Sequence, residues 1–243
     1  MTDTTADHLL GGRVQFRQPA RGYRAAIDPV LLAASVPARD GESVLEGGTG
    51  AGAAALCLLA RLGGISLRGI EIDPALAALA RANATTNAMA DRMEVIEADL
   101  LGCRAGRFDH AMANPPFQPH GSGSESPDAS RRRADREPAP GMLAGWIDAL
   151  ARHLAPRGSL TLVLPAARLS ECMAACRAAG LGAIGVLPVS PRPGQAAGRI
   201  LVQGRKAARG PDRLLAPLVL HQPDGRFTPE ADAVLRGGAA LTI

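Results

Sequence analysis

A glycine-dense turn between an apolar strand and an apolar helix limits what this chain can become more than any other feature. Val44-Leu45-Glu46-Gly47-Gly48-Thr49-Gly50-Ala51-Gly52 begins as a short apolar run ending in a carboxylate, and it opens directly into the helical stretch Ala53 to Arg61. Glycine permits positive φ and lets a ligand reach the backbone without meeting a Cβ, while the first amides of a helix have no partner within it. Such a turn is shaped to hold a nucleoside-containing cofactor. Glu46, Gly48, Gly50 and Gly52 are therefore the first candidate site residues.

The alternation continues downstream. Leu67 to Ile72 reads as a second strand carrying Glu71, about 20 residues beyond the turn, where a carboxylate accepts hydrogen bonds from ribose hydroxyls. Asp73-Pro74 is a cap signature before the alanine-rich helix Ala75 to Ala88. Met93 to Ile96 is a third strand leading to Glu97-Ala98-Asp99-Leu100; Asp99 can meet an adenine amino group or simply cap a turn, and Leu100 follows it in the same candidate site. Phe108 to Ala113 is a fourth strand, stopping at Asn114-Pro115-Pro116-Phe117. Two consecutive prolines fix the backbone and remove two donors, which leaves the Asn114 carboxamide and the Pro115 carbonyl to accept from a planar amino group. Phe117 offers a face for a heteroaromatic ring. An Asn-Pro turn is the plain alternative, but here it falls at the carboxyl end of a strand, where open α/β sheets bind ligands.

Composition narrows the class. With 243 residues, 47% hydrophobic and 21% charged, the chain can bury a sizeable core built from Ala, Leu and Val, since aromatics are only 2%. No apolar run approaches the ~18 residues of a membrane span and no signal peptide opens the sequence, so a cytoplasmic location without membrane contact is expected. Cys57, Cys103, Cys172 and Cys176 have no metal-ligand spacing, and the five histidines are scattered; no metal site is expected, and Cys172 and Cys176 read as buried hydrophobes one helical turn apart. The net charge is +4 and every basic residue except Lys206 is arginine, which suits phosphate but also follows from a GC-rich genome.

Before the turn, Met1 to Gly12 reads as a polar, frayed end. Arg13, Arg17, Arg21 and Arg24 follow without an intervening acid, either a solvated face or a phosphate contact. Asp28-Pro29 resembles an N-cap with proline at the first helical position, leading into Val30 to Ala34. Beyond Phe117, a Gly/Ser/Pro-rich insert at 118–140 carries Arg131-Arg132-Arg133 and Arg136 and is longer than an ordinary connection; a mobile RNA-contacting loop is expected. Met142 to His153, Ser159 to Leu164 and Leu169 to Ala179 continue as helix, strand and helix, Leu181 to Val189 with Arg199 to Gly204 can close the sheet, and Leu214 to His221 can add an edge strand. Arg192, Arg199, Arg205, Lys206, Arg209 and Arg213 make a second basic stretch.

Taken together, Glu46-x-Gly48-x-Gly50-x-Gly52, Glu71, Asp99 and Asn114-Pro115-Pro116-Phe117 resemble the S-adenosylmethionine-dependent methyltransferases that modify exocyclic or amide nitrogens. Gln18-Pro19-Ala20-Arg21-Gly22-Tyr23-Arg24, Ile27 to Ala33 and Leu220-His221-Gln222-Pro223-Asp224-Gly225-Arg226-Phe227-Thr228-Pro229-Glu230 further resemble the bacterial tRNA(Val) adenine-N6 methyltransferases. The resemblance implies a Rossmann-like α/β fold, a seven-stranded sheet that is mostly parallel with an antiparallel last strand. It implies S-adenosylmethionine as cofactor, tRNA as partner, Asn114, Pro115 and Phe117 as catalytic residues, and Arg24 and Asp28 as closing the cofactor site. A segment 1–29 would pack on that site, and 30–243 would form the methyltransferase domain. Ribosomal RNA guanine N2 or protein glutamine are alternative targets. Gly48-x-Gly50-x-x-Ala53 with Glu71 also fits a dinucleotide fingerprint, so an NAD-dependent oxidoreductase is a rival of another class, as is a non-catalytic RNA-binding module.

Overall fold

A computed structural model describes residues 3–20, 25–116 and 141–243. In chain order these form β1 (Thr4–Leu9), β2 (Val14–Pro19), α1 (Asp28–Ser35), β3 (Ser43–Gly47), α2 (Ala53–Arg61), β4 (Ser66–Glu71), α3 (Pro74–Thr86), β5 (Met93–Glu97), β6 (Phe108–Ala113), α4 (Met142–Arg152), β7 (Leu154–Pro165), α5 (Leu169–Ala178), β8 (Leu181–Ser190), β9 (Arg199–Lys206), β10 (Arg213–Leu214), β11 (Leu218–Val219) and α6 (Pro229–Leu235). The main sheet runs β10-β8-β9-β7-β6-β3-β4-β5, with β11 also beside β8. β10 and β11 are two-residue pieces, which leaves seven full strands. β9 is antiparallel to both β7 and β8, and the pairs among β3, β4, β5, β6 and β7 are parallel. A doubly wound dinucleotide sheet continues in parallel to its sixth strand. Here an antiparallel strand is inserted between β7 and β8 instead.

Parallel strands are covered on both faces, so successive residues must both be apolar. Val44 joins Leu56 and Leu59 of α2 on one face, and Leu45 joins Ile147 and Leu150 of α4 on the other. α2 is apolar around nearly its whole circumference, with Ala53 to Leu59 all buried, and each fully buried leucine contributes roughly 1.5–3 kcal/mol. Cys172 and Cys176 lie in the α4/α5 layer with their Sγ atoms 4.0 Å apart, filling volume as small hydrophobes. No helix among the described residues is long and apolar enough to cross a membrane.

Register decides what reaches the carboxyl rim. Gly47 pairs with Ile70 on one side and Ala113 on the other, and Glu71 pairs with Glu97. The turn after β3, the tip of β4, the loop after β5 and Asn114 after β6 therefore emerge along one edge.

Three expectations need correction. The first residues are not frayed: β1 and β2 form an antiparallel hairpin, with Leu9 facing Val14 across a turn whose Leu10, Gly11 and Gly12 all have positive φ. Its stability comes from elsewhere in the chain. Val14 and Phe16 are buried, and Asn83 of α3 and Asn87, the residue that caps its C-terminus, bond the backbone of β2. Asp28 is not an N-cap but the first residue of α1, and makes no capping bond; its carboxylate pairs with Arg199 Nε at 2.5 Å. Asp73, in the matching motif, does cap, accepting from Ala75 N at 2.9 Å and Leu76 N at 3.3 Å. Leu214 to His221 is not one edge strand, because Pro217, which has no N–H to donate, separates β10 from β11.

Candidate cofactor and catalytic site

The turn after β3 is held by main-chain bonds before any ligand is considered. Gly48 N and Thr49 N both donate to Ile70 O, at 2.9 and 3.1 Å, and Gly52 N donates to Thr49 O at 2.9 Å. Gly48, Gly50 and Gly52 all have left-handed backbone, with φ of 67°, 58° and 92°. Their surroundings differ. A Cβ on Gly48 would lie 2.5 Å from Trp146 Cη2, and one on Gly52 would lie 3.3 Å from Met93 Cε, whereas one on Gly50 would meet nothing within 4 Å. Packing requires the first glycine and crowds the third, and the middle one faces open space at the rim.

Glu71 closes the floor of that space. Its Oε2 accepts from Gly50 N at 2.7 Å and its Oε1 from Asp73 N at 2.9 Å. Burial raises its pKa above the ordinary value, and the backbone amides of Asp73, Gly50 and Ile72 pull it back in part. A carboxylate offers about four acceptor positions, so two remain for hydroxyl donors. Glu46 is more deeply placed at 3% exposure, and its Oε2 has no hydrogen-bond partner among the described residues. Burial pushes its pKa well above the ordinary carboxyl value, against the hydrogen bond from Thr49, and the nearby Glu71 raises it further.

Asp99 is exposed and accepts from Leu101 N at 3.0 Å, the turn-capping geometry, at the mouth of the sheet. Leu100 is buried beneath the turn, where a Cβ on Gly47 would come within 2.9 Å of its Cδ2. Asp28 stands at the start of α1, facing Arg199, the first residue of β9, which pairs with Pro165 at the carboxyl end of β7; burial raises its pKa and the guanidinium beside it opposes that. Asn114 is half-buried and Pro115 buried, directly after β6. Arg21, Arg24, Phe117 and the insert at 118–140 lie outside the described residues.

The structure adds residues that the sequence did not single out. Ile72, immediately after Glu71, is 64% exposed, and Leu101 beside Asp99 is 39% exposed. Two bare aliphatic side chains flanking a polar floor suit a flat ring, and the signal available was an apolar residue one step beyond Glu71 and two beyond Asp99. Trp146 of α4, the sole tryptophan, walls the turn at Gly48. Open space over Gly50, spare acceptors on Glu71, an unpartnered oxygen on Glu46 and the exposed face of Ile72 fit a nucleoside-bearing cation. The second basic stretch is not one patch: Arg199 is paired with Asp28, and Lys206 donates to Ala151 O and Leu154 O at the opposite end of β9.

Residues 26–130 match the methyltransferase small domain family. The chain is 31% identical to the tRNA1(Val) (adenine(37)-N6)-methyltransferase of Porphyromonas gingivalis, with 90% of this chain and 89% of that protein covered. Among solved structures it is similar to a predicted O-methyltransferase from Agrobacterium tumefaciens, with a TM-score of 0.74 at 28% identity over 89% of this chain and 99% of that one. It shares its fold with a T. thermophilus 16S rRNA methyltransferase in complex with AdoMet and guanosine, at a TM-score of 0.58 and 20% identity over 84% of this chain and 50% of that one.

Proposed function

Because the chain belongs to the tRNA1(Val) (adenine(37)-N6)-methyltransferase family, we propose that it transfers a methyl group from S-adenosylmethionine to the exocyclic N6 amino group of an adenine in tRNA. The observation that carries this reading is the register of β3 with β6: Gly47 lies beside Ala113, so the glycine turn and Asn114 leave adjacent strands at the same rim.

In this reading Glu71 holds the ribose hydroxyls with its two spare acceptor positions, Ile72 and Leu101 flank the adenine ring, and Asp99 meets its amino group. Gly50 gives the backbone room, and Glu46 lies beneath the turn. Arg24 and Asp28 help to close the site, and the segment 1–29 packs against it. When bound, S-adenosylmethionine supplies an electrophilic methyl on a positive sulfonium. The amino group of adenine is a weak nucleophile because its lone pair is delocalised into the ring. Asn114 and the Pro115 carbonyl accept hydrogen bonds from its two N–H groups and favour a pyramidal nitrogen, so the lone pair is directed rather than delocalised. Pro115 and Pro116 keep that direction fixed, and orientation in a near-attack pose supplies much of the remaining rate. Phe117 stacks on the target base after it leaves its helix or loop. No strong base is required before transfer, since the proton is lost from the cationic product.

The acceptor set also explains why an oxidoreductase is not favoured: it gives Asn114-Pro115-Pro116 no task, and the antiparallel β9 departs from the dinucleotide sheet. The direct test is incubation of the purified protein with methyl-labelled cofactor and total RNA from a strain lacking it, followed by nucleoside mass spectrometry. Label in N6-methyladenosine of the tRNA fraction is the expected outcome. Label in N2-methylguanosine, or in protein, would move the assignment to another acceptor.

A further inference from the structure

Asn83 is 1% exposed in the last turn of α3, and its side chain makes three hydrogen bonds. Its Oδ1 accepts from Arg17 N at 3.0 Å, and its Nδ2 donates to Arg17 O at 2.8 Å and to Ala51 O at 2.9 Å. Arg17 is in β2 of the N-terminal hairpin; Ala51 lies between Gly50 and Gly52 in the glycine turn. One turn of helix further on, Asn87 repeats the first half of this arrangement, accepting from Gln15 N at 2.9 Å and donating to Gln15 O at 2.7 Å, but it has no bond to the turn. The C-terminal end of α3 and its cap thus offer β2 a ladder made of two side chains, and only one rung extends to the turn.

We propose that Asn83 is a positioning residue that couples the glycine turn to the N-terminal hairpin, so that occupancy of the cofactor site and order of the hairpin reinforce each other. The proposal rests on the cofactor reading above. A carboxamide is the only side chain that supplies one acceptor and two donors in a plane of this size. An aspartate would set acceptors against two carbonyl oxygens, and an aliphatic side chain would leave the Ala51 carbonyl buried without this donor and remove both bonds to Arg17. Beyond β2 the connection continues: Gln18, 4% exposed, donates to Asp7 Oδ2 at 2.8 Å and accepts from Ala25 N at 2.8 Å, which ties the hairpin to the chain entering α1. Coupling of this kind is reciprocal, so whatever stiffens the hairpin tightens the cofactor site by the same factor.

The test uses the full-length protein and S-adenosylhomocysteine as probe. In the wild type, hydrogen exchange at the amides of β1 and β2 should slow on addition of the probe. Asn83→Ala should weaken probe binding in calorimetry by about tenfold, the equivalent of ~1.4 kcal/mol for one lost buried hydrogen bond, and should abolish the ligand-dependent slowing. Asn83→Asp should do no better than the alanine variant, although it preserves the volume. Asn87→Ala should speed hairpin exchange while leaving the probe affinity within twofold. Equal affinities for Asn83→Ala and Asn87→Ala, or hairpin exchange in the wild type that ignores the probe, would overturn the coupling. The wild-type exchange measurement decides the matter even if the Asn83 variants fail to fold. No heat with any variant or with the wild type would instead strike at the cofactor reading.

Discussion

Gly50 donates its backbone amide to Glu71 Oε2 across 2.7 Å, which makes the turn after β3 and the tip of β4 a single hydrogen-bonded unit. The carboxylate is thus oriented by the protein itself before it serves any ligand. Removing it takes away one support of the turn and, in the proposed reading, the ribose acceptors as well. Glu71→Ala should weaken S-adenosylhomocysteine binding by at least about 100-fold, since hydrogen bonds to a charged group are worth roughly 1.5–3 kcal/mol each. Glu71→Gln, which sets an amide near two N–H donors, should fall in between. Calorimetry on the three proteins orders them, and unchanged affinity in Glu71→Ala would remove Glu71 from the cofactor site.

Gly48 and Gly50 should separate folding from binding. Both need positive φ, which costs an L-residue about 1–2 kcal/mol, but only a Cβ at position 48 runs into Trp146. Gly48→Ala should lower the melting temperature markedly. Gly50→Ala should cost only the backbone term yet depress cofactor affinity by an order of magnitude or more, because its methyl would project into the open space at the rim. Equal melting temperatures for the two variants would refute the packing difference.

Much of this site could be read from residue order alone, and the part that could not has a common cause. The β3 to α2 turn, Glu71 and Asn114 are local signals, each made by residues within a few positions of one another, and the structure brings all three to one rim. The hairpin was illegible because its partners are remote: Asn83 and Asn87 reach β2 across 66 and 72 positions. Asp28 carries the same Asp-Pro signature as Asp73, yet a long-range ion pair with Arg199 takes its carboxylate where Asp73 keeps its own for capping. Ile72 lies one residue beyond its strand, where an aliphatic residue looks like strand core until its exposure is known.

That exposure leads to a further expectation. An aliphatic side chain left bare at 64% contributes little to folding, so Ile72→Ala should move the melting temperature by no more than a degree or two. If the adenine ring covers it, the same substitution should weaken cofactor binding about fivefold to tenfold, from roughly 25 cal/mol for each Å² of apolar surface no longer covered. Calorimetry beside thermal melts checks both halves; a stability loss without a binding loss would mean that Ile72 serves the fold alone.

Glu46 should mark the pH dependence of the unliganded protein. Its folded-state pKa is raised well above the ordinary 4.5 by burial, so both folded and unfolded chains are protonated below that ordinary value and the group costs nothing. As pH rises towards and through the raised value, the unfolded chain ionises first and stability is lost, at ~1.4 kcal/mol for each unit of displacement. Glu46→Gln keeps the shape and removes the titration. Its melting temperature should fall less than that of the wild type between mildly acidic and alkaline pH, with a residual decline from Glu71 and Asp28, which are raised for the same reason. Superimposable pH profiles would show that the buried carboxyl carries no such penalty.

Asn114 should divide catalysis from binding. It leaves β6, the strand beside β3, and among the described residues the glycine turn is held by bonds to Ile70, Thr49, Glu71 and Asn83. Losing it should therefore spare the cofactor: S-adenosylhomocysteine affinity in Asn114→Ala should stay within about threefold of the wild type. Turnover should fall by roughly 100-fold to 1,000-fold or more, the usual cost of removing one fixed dipole aimed at charge that develops only in the transition state. Asn114→Asp retains an acceptor at the same position and should keep more activity than Asn114→Ala or Asn114→Leu, whereas a role in packing alone would favour leucine over aspartate. Single-turnover rates with tRNA, measured with cofactor saturating, separate these cases. Parallel losses of rate and of cofactor affinity in all three variants would mean that Asn114 supports the cofactor rather than the nucleophile, and the acceptor nitrogen would then need another partner at the rim.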